Sequence, residues 1–297
     1  MNKNLFYILI LLSMIFWGAS WINTKVLTLY VNQYEIVFLR VLFSGIFMLP
    51  LLLFLKVNFK IDFKTIILVL LASAVMIFYS ISLFFGVSYG TAGLGGALVT
   101  TLIPINTFVI LAILHRKSIS LKHSFALILG AFGVLTMLDI WYFDLGQVFS
   151  KHNIYFLIAS VLWPILTIIT ARASNTTPLI FNFYIYVCCS FISAFVIDFN
   201  HLVRVLDYDY IFWVNILCLT ALSSAFATTT YFIGSEKLGV NKVSSFVFLV
   251  PSSALVLSAI FLDEKIDFNT LLGTVCAVIA IYILNDIKLK KIKLFTQ

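Results

Sequence analysis

Residues 260–272 read IFLDEKIDFNTLL, three carboxylates (Asp263, Glu264, Asp267) and Lys265 between two apolar blocks. In a chain with 10% charged residues, such a cluster is either a site or a boundary. The blocks on either side decide which. The 297 residues are 62% hydrophobic and include 30 Phe, more apolar surface than one soluble core can hide. Ten apolar runs of about 20 residues follow one another: 5–24, 34–55, 66–87, 91–113, 121–138, 153–172, 178–198, 211–232, 240–262 and 268–285. Each is long enough to cross the hydrocarbon of a bilayer. None alternates with the period of two that barrel strands need, so the expected class is an all-α membrane protein with ten transmembrane helices. The first run also fits a cleaved signal peptide headed by Lys3, but Trp17 and Trp21 suit an interface end better than a small-residue cleavage site.

The net charge of +7 is explained by position. With the N-terminus in the cytoplasm, fourteen of the nineteen Lys and Arg fall inside, from Lys3, Lys56, Lys60 and Lys64 to the tail lysines. Only Lys25, Lys151, Arg204 and Lys265 fall outside, and Arg40 lies within the second run. The positive-inside rule therefore predicts that both termini are cytoplasmic, and nucleic acid is not needed to explain the charge. Cys188, Cys189, Cys218 and Cys276 all sit within runs, as small apolar residues.

An internal repeat answers the opening question. Aligning Pro104 with Pro251, an offset of 147, brings the boundaries of successive runs into coincidence. HRKSISLKH (115–123) then falls opposite LDEKIDFNT (262–270), with Arg116 facing Asp263 and Lys117 facing Glu264. Five spans per half is odd, so the second half enters the membrane inverted: one corner is cytoplasmic and basic, the other external and acidic. The cluster is read as a boundary. Two inverted five-helix repeats are expected, residues 1–145 and 146–297, the second ending in a short basic tail.

Chemistry inside the membrane is sparse. His115, His123, His152 and His201 lie in connectors, and no run has an Asp or Glu in its middle. A catalytic dyad, a metal site or a cofactor site is therefore unsupported, and no phosphate-binding GxxxxGK[ST] loop occurs. The expectation is a protein that is not an enzyme. Arg40, in FLRVLFSG (38–45), is a candidate for substrate binding because a charge within a span must face protein or water. The plainer reading is an arginine reaching for the external interface, paired with Glu35. Pro104 and Pro251 are candidate hinges near mid-span, since a mid-helix proline frees a carbonyl. Thr100 and Asn106 beside one, and Ser252 beside the other, are candidate cavity groups; hydroxyls bonded back to their own helix are the alternative. Trp17, Asn23, Trp163 and Asn182 complete the candidate lining, with Trp21, Thr167, Asn215 and Thr228 as further contributors. Trp17 and Trp163 occupy near-equivalent places in the two halves. The small-residue stretch FGVSYGTAGLGGAL (85–98) suits close packing or a tight turn.

In their joint order these residues resemble the ten-helix EamA-type branch of the drug/metabolite transporter superfamily, across essentially the whole chain. FWGASW (16–21) is similar to that family's Trp-Gly-small motif, and FLRVLFSG to its arginine in helix two. LVPSSALVLSAIFLDEKIDFNTLLG (249–273) resembles its closing motif, with Pro251, Glu264 and Gly273. Lys117 and Ala126 depart from the pattern in the first repeat, Pro164 in the second, and no arginine in the second half answers Arg40. The resemblance implies a secondary transporter, often an exporter, moving amino acids or other small metabolites across a bacterial inner membrane by alternating access. It implies a small-molecule substrate, a surrounding bilayer, a coupling proton as one option, and a monomer or homodimer. A facilitator, and a membrane sensor or assembly subunit, are the alternatives.

Overall fold

The computed structural model describes residues 3–90, 92–137, 140–142, 153–173, 175–262 and 268–286. The acidic corner, residues 263–267, and the tail lysines lie outside them. Ten apolar helical runs are present among the described residues, at the places the hydropathy pattern predicts. They are α1 Lys3–Leu27, α2 Gln33–Phe54, α3 Phe63–Tyr89, α4 Ala92–His115 and α5 Leu121–Met137, then α6 Asn153–Ala171, α7 Pro178–Ala194, α8 Tyr210–Leu238, a composite α9, and α10 Phe268–Leu284. Seven are long and apolar enough to cross a membrane; α5, α7 and α10, at 17 residues each, are shorter. No strand occurs among the described residues. Bulky apolar side chains such as Phe54, Phe63, Leu121 and Phe125 stand exposed on the outside, as lipid-facing surface requires.

Helix starts follow local chemistry. Asn32 and Glu35 form a reciprocal capping box at α2, the Glu35 carboxylate accepting from the Asn32 amide at 2.9 Å. Asp62 caps α3 and Asp209 caps α8 through their first amides. Two helices depart from α geometry. In α8 the stretch Cys218–Thr228 is a π-helix, and α9 runs Val240–Ser245, a 3-10 turn Phe246–Leu249, then Val250–Leu262. Gly239, at φ 92, makes the sharp α8–α9 corner.

Connector contacts sort the loops into two ends. At one end Asn175 donates to Asp62, Lys122 to Asp286, and Lys237 stands over Phe6. At the other, Lys25 donates to the carbonyls of Val87 and Gly90, Gln33 to Ser88, and Tyr30 to Asp209. Successive helices thus alternate in direction. The first end carries Lys60, Lys64, Arg116, Lys117, Lys122 and Lys242.

The packing pairs match under exchange of each helix with the one five places on. α3 packs on α6 as α8 packs on α1; α4 on α6 as α9 on α1; α3 on α7 as α8 on α2; α2–α7 and α5–α10 are their own counterparts. Glycines permit the closest crossings. A Cβ on Gly18, the glycine of FWGASW, would meet the α9 backbone at Ala254 N (2.8 Å) and Val250 O (2.9 Å). Gly86, Gly90 and Gly95 make room for the ring of buried Phe156, a close-packed contact between α3, α4 and α6.

A central aromatic cavity

Helices α1, α2, α3, α4, α6, α8 and α9 surround a cavity of about 50 Å³. α1 presents Trp17, Ser20, Trp21 and Thr24 to it, spaced three and four apart so that they share one face. Arg40 enters from α2, Tyr79 and Phe84 from α3, Thr100 and Ile103 from α4, Trp163 from α6, Ser223 from α8, and Val247 and Val250 from α9. Both halves of the chain build the wall.

Among the described residues Arg40 is the one charged group in the wall. The side chain is 5% exposed; its Nε donates to Ser224 Oγ at 2.7 Å, and its guanidinium carbon stands 5.7 Å from the Phe84 ring centroid. No carboxylate among the described residues is within ion-pair distance of it. Glu35 caps its own helix and does not pair with Arg40. The external-interface reading therefore gives way to a buried cation facing the cavity.

The π segment of α8 explains how that cation is held. Winding at i→i+5 displaces carbonyls from the ordinary ladder, and long side chains take them up. Trp17 Nε1 donates to Ser223 O (3.1 Å), Tyr186 OH to Ser224 O (2.9 Å), and Ser44 Oγ to Thr220 O (3.3 Å). Thr228 Oγ1 also donates to Ser223 O (3.2 Å). The same segment supplies the hydroxyl that Arg40 grips.

Trp163 anchors an aromatic cluster. Its ring centroid lies 5.1 Å from Trp17, edge to face, 4.7 Å from Tyr79, 5.8 Å from Tyr231 and 5.9 Å from Phe232, the last stacked. Its Nε1 is buried and makes no well-formed hydrogen bond.

The remaining candidates separate into wall and frame. Thr100 lines the cavity, its hydroxyl donating to Gly96 O. Asn23 is half-buried on α1 and off the wall. Asn106 Nδ2 donates to the Ser160 carbonyl and hydroxyl, both at 3.1 Å, and so ties α4 to α6. Asn182 donates to Thr229 Oγ1 at 2.7 Å, tying α7 to α8, and Ser252 contacts Met137 Sδ at 3.1 Å, tying α9 to α5. Pro104 sits inside α4; Pro251 directly follows the 3-10 turn of α9, where its missing amide leaves no bond unmade. Sequence reasoning passed over Ser223, Ser224, Tyr79 and Tyr186. The crowding of hydroxyls in SSAFATTTY (223–231) was the available signal.

A second cavity, about 590 Å³, opens at the α4–α5 and α8–α9 connectors. His115, Lys117, His123 and Lys242 line it, with no carboxylate among the described residues of its wall.

An all-helical multi-pass bundle closed around a cavity shared by its two halves defines a membrane protein built to enclose a small molecule. The EamA-like transporter family matches residues 4–138 and again 150–286, and the chain belongs to that family. It is 25% identical over 260 residues to the Uncharacterized transporter YetK of Bacillus subtilis (strain 168), covering 82% of this chain and 76% of that protein. A crystal structure of a protein superposes with a TM-score of 0.75 at 13% identity, over 95% of this chain and 96% of the other, which is a likeness of fold. The protein is a membrane transporter, and a transporter's partners are a small molecule and the bilayer.

Proposed function

We propose that the chain is a secondary carrier that exports small metabolites, amino acids among them, across a bacterial inner membrane by alternating access. In this reading ten helices form two inverted five-helix repeats, residues 1–145 and 146–297, and both termini are cytoplasmic. The matching packing pairs support the repeat, and the lysines gathered at one end support the orientation. The observation that carries the reading is the placement of buried Arg40 beside Trp17 and Trp163, in a cavity that both halves build. Arg40 receives a substrate carboxylate, the aromatic faces its apolar part, and Pro104 and Pro251 are the points about which α4 and α9 rock.

The test is efflux from proteoliposomes loaded with a mixed pool of amino acids, nucleosides, amines and small organic acids. The expected result is saturable efflux of one class, abolished by Arg40→Ala or Trp163→Ala. If nothing leaves, even under imposed proton and sodium gradients, the carrier reading falls and a sensor or assembly subunit takes its place. A second reading, a facilitator running down its substrate gradient, is favoured by one observation: no carboxylate among the described residues lines the cavity to trade a proton. Efflux insensitive to an imposed pH gradient selects it over proton coupling.

A further inference from the structure

Resting on the carrier reading, we infer that the central cavity selects a small monocarboxylate anion over the zwitterionic amino acid of the same size. A zwitterion needs two poles in its site, and this site has one. The positive pole is Arg40, with Nε committed to Ser224 and no hydrogen bond from its terminal nitrogens to any described residue. Trp163 adds an aromatic wall beside it, its indole N–H set against the Tyr231 hydroxyl. Both side chains are at least nine-tenths buried and line the cavity.

Among the described residues the wall shows no negative pole: no carboxylate of theirs lines the cavity. The carbonyls displaced by the π segment would be the natural acceptors for a substrate ammonium, but the protein occupies them. Ser223 O is taken by Trp17 and Thr228, Ser224 O by Tyr186 and Thr220 O by Ser44. Aromatic faces can hold an ammonium, yet Trp163 is stacked on Phe232 and crowded by Tyr79 and Trp17. What remains are aromatic rings such as Trp21 and hydroxyl oxygens such as Thr100 and Ser20, neutral groups beside an unneutralised guanidinium that repels any cation brought near.

Size and access agree. A cavity of about 50 Å³ suits a small molecule rather than a bulky one. The second cavity, with His115, Lys117, His123 and Lys242 in its wall, draws anions toward one end of the bundle.

The test is a tryptophan-fluorescence titration of the detergent-purified full chain, since Trp17, Trp21 and Trp163 line the cavity. Four probes of near-equal size differ in charge: propionate, glycine, propionamide and n-propylamine. Working in detergent avoids the leakage of weak acids across bilayers. Propionate is expected to half-saturate at a concentration at least about tenfold below glycine or propionamide, with n-propylamine silent. Arg40→Met abolishes that preference, while Arg40→Lys keeps it at weaker affinity. Should Arg40→Met not fold, Ser224→Ala serves: propionate weakens and propionamide does not. Glycine binding as tightly as propionate, or no response to propionate, overturns the inference. If the efflux assay nonetheless shows saturable, Arg40-dependent loss of amino acids, the carrier reading survives and only anion selection is lost.

Discussion

Two interfaces show how differently this bundle treats its helices. Where α5 meets α10, backbone lies on backbone: a Cβ on Gly133 would meet the Gly273 carbonyl at 2.7 Å, and one on Gly273 would meet Gly133 O and Met137. Where α8 meets α1 and α2, contact is made at arm's length, by Trp17, Arg40 and Ser44 bonding across to α8. The first interface has no room to adjust, since close-packed backbone has a single fit. The second is made by side-chain hydrogen bonds, Trp17 and Ser44 to α8 carbonyls and Arg40 to the Ser224 hydroxyl. Among the described residues the α5–α10 pair contributes nothing to the cavity wall. The bundle thus keeps a fixed brace and a hydrogen-bonded wall in different helices.

Breaking the brace carries the largest expected effect. Gly133→Leu drives a side chain into the Gly273 carbonyl and Cys276, and destabilises the protein by about 3 kcal/mol. Thermal melting in detergent reads this directly. Gly45, on α2, is the control: its added Cβ meets only Tyr186 Cβ, at 3.8 Å, so Gly45→Ala melts no lower than the parent. Equal losses in both variants erase the distinction between the interfaces.

The wall is sharpened by a smaller change. Ser224→Ala removes the oxygen that holds Arg40 Nε, and a hydrogen bond to a charged group is worth about 2 kcal/mol. Substrate half-saturation in counterflow rises about tenfold, while the melting temperature moves less than in Gly133→Leu. Pro251→Ala, at the 3-10 junction of α9, acts on motion instead. Turnover falls about threefold with half-saturation unchanged. An unaltered turnover removes that residue from the hinge.

The contrast between brace and wall also marks what the sequence made legible. The all-helical membrane class was readable because hydropathy accumulates over many residues. Arg40, Trp17, Thr100 and Trp163 were legible as cavity groups, being costly or bulky residues within spans. Asn106, Asn182 and Ser252 looked the same, yet they tie helices together. A polar residue in a span satisfies itself equally well against a neighbour or in a cavity, and one sequence does not say which face meets which helix. The π winding was beyond reach, because the crowded hydroxyls of Cys218–Thr228 mark a polar stretch but not the turn that brings Ser223 and Ser224 to Trp17 and Arg40.

The smallest expected effect lies at the rim of the brace, where Lys122 at the start of α5 donates to Asp286 after α10 at 2.5 Å. That hydrogen bond, with the Lys122 charge behind it, holds the Asp286 carboxyl below its ordinary range. A carboxyl with a lowered folded value stabilises the fold above its unfolded value, near 3.9. The contribution disappears as pH falls through the folded value. Melting temperature should therefore show no change from this pair between about pH 7 and 5, and a decline only below about 4. Both side chains are more than half exposed, at 56% and 53%, so solvent screening limits the contribution to about 0.5 kcal/mol. Asp286→Asn should remove that increment of acid sensitivity and leave Gly133→Leu as damaging as before. If Asp286→Asn instead rivals Gly133→Leu, the brace is held by charge at its rim and the glycine contact is secondary.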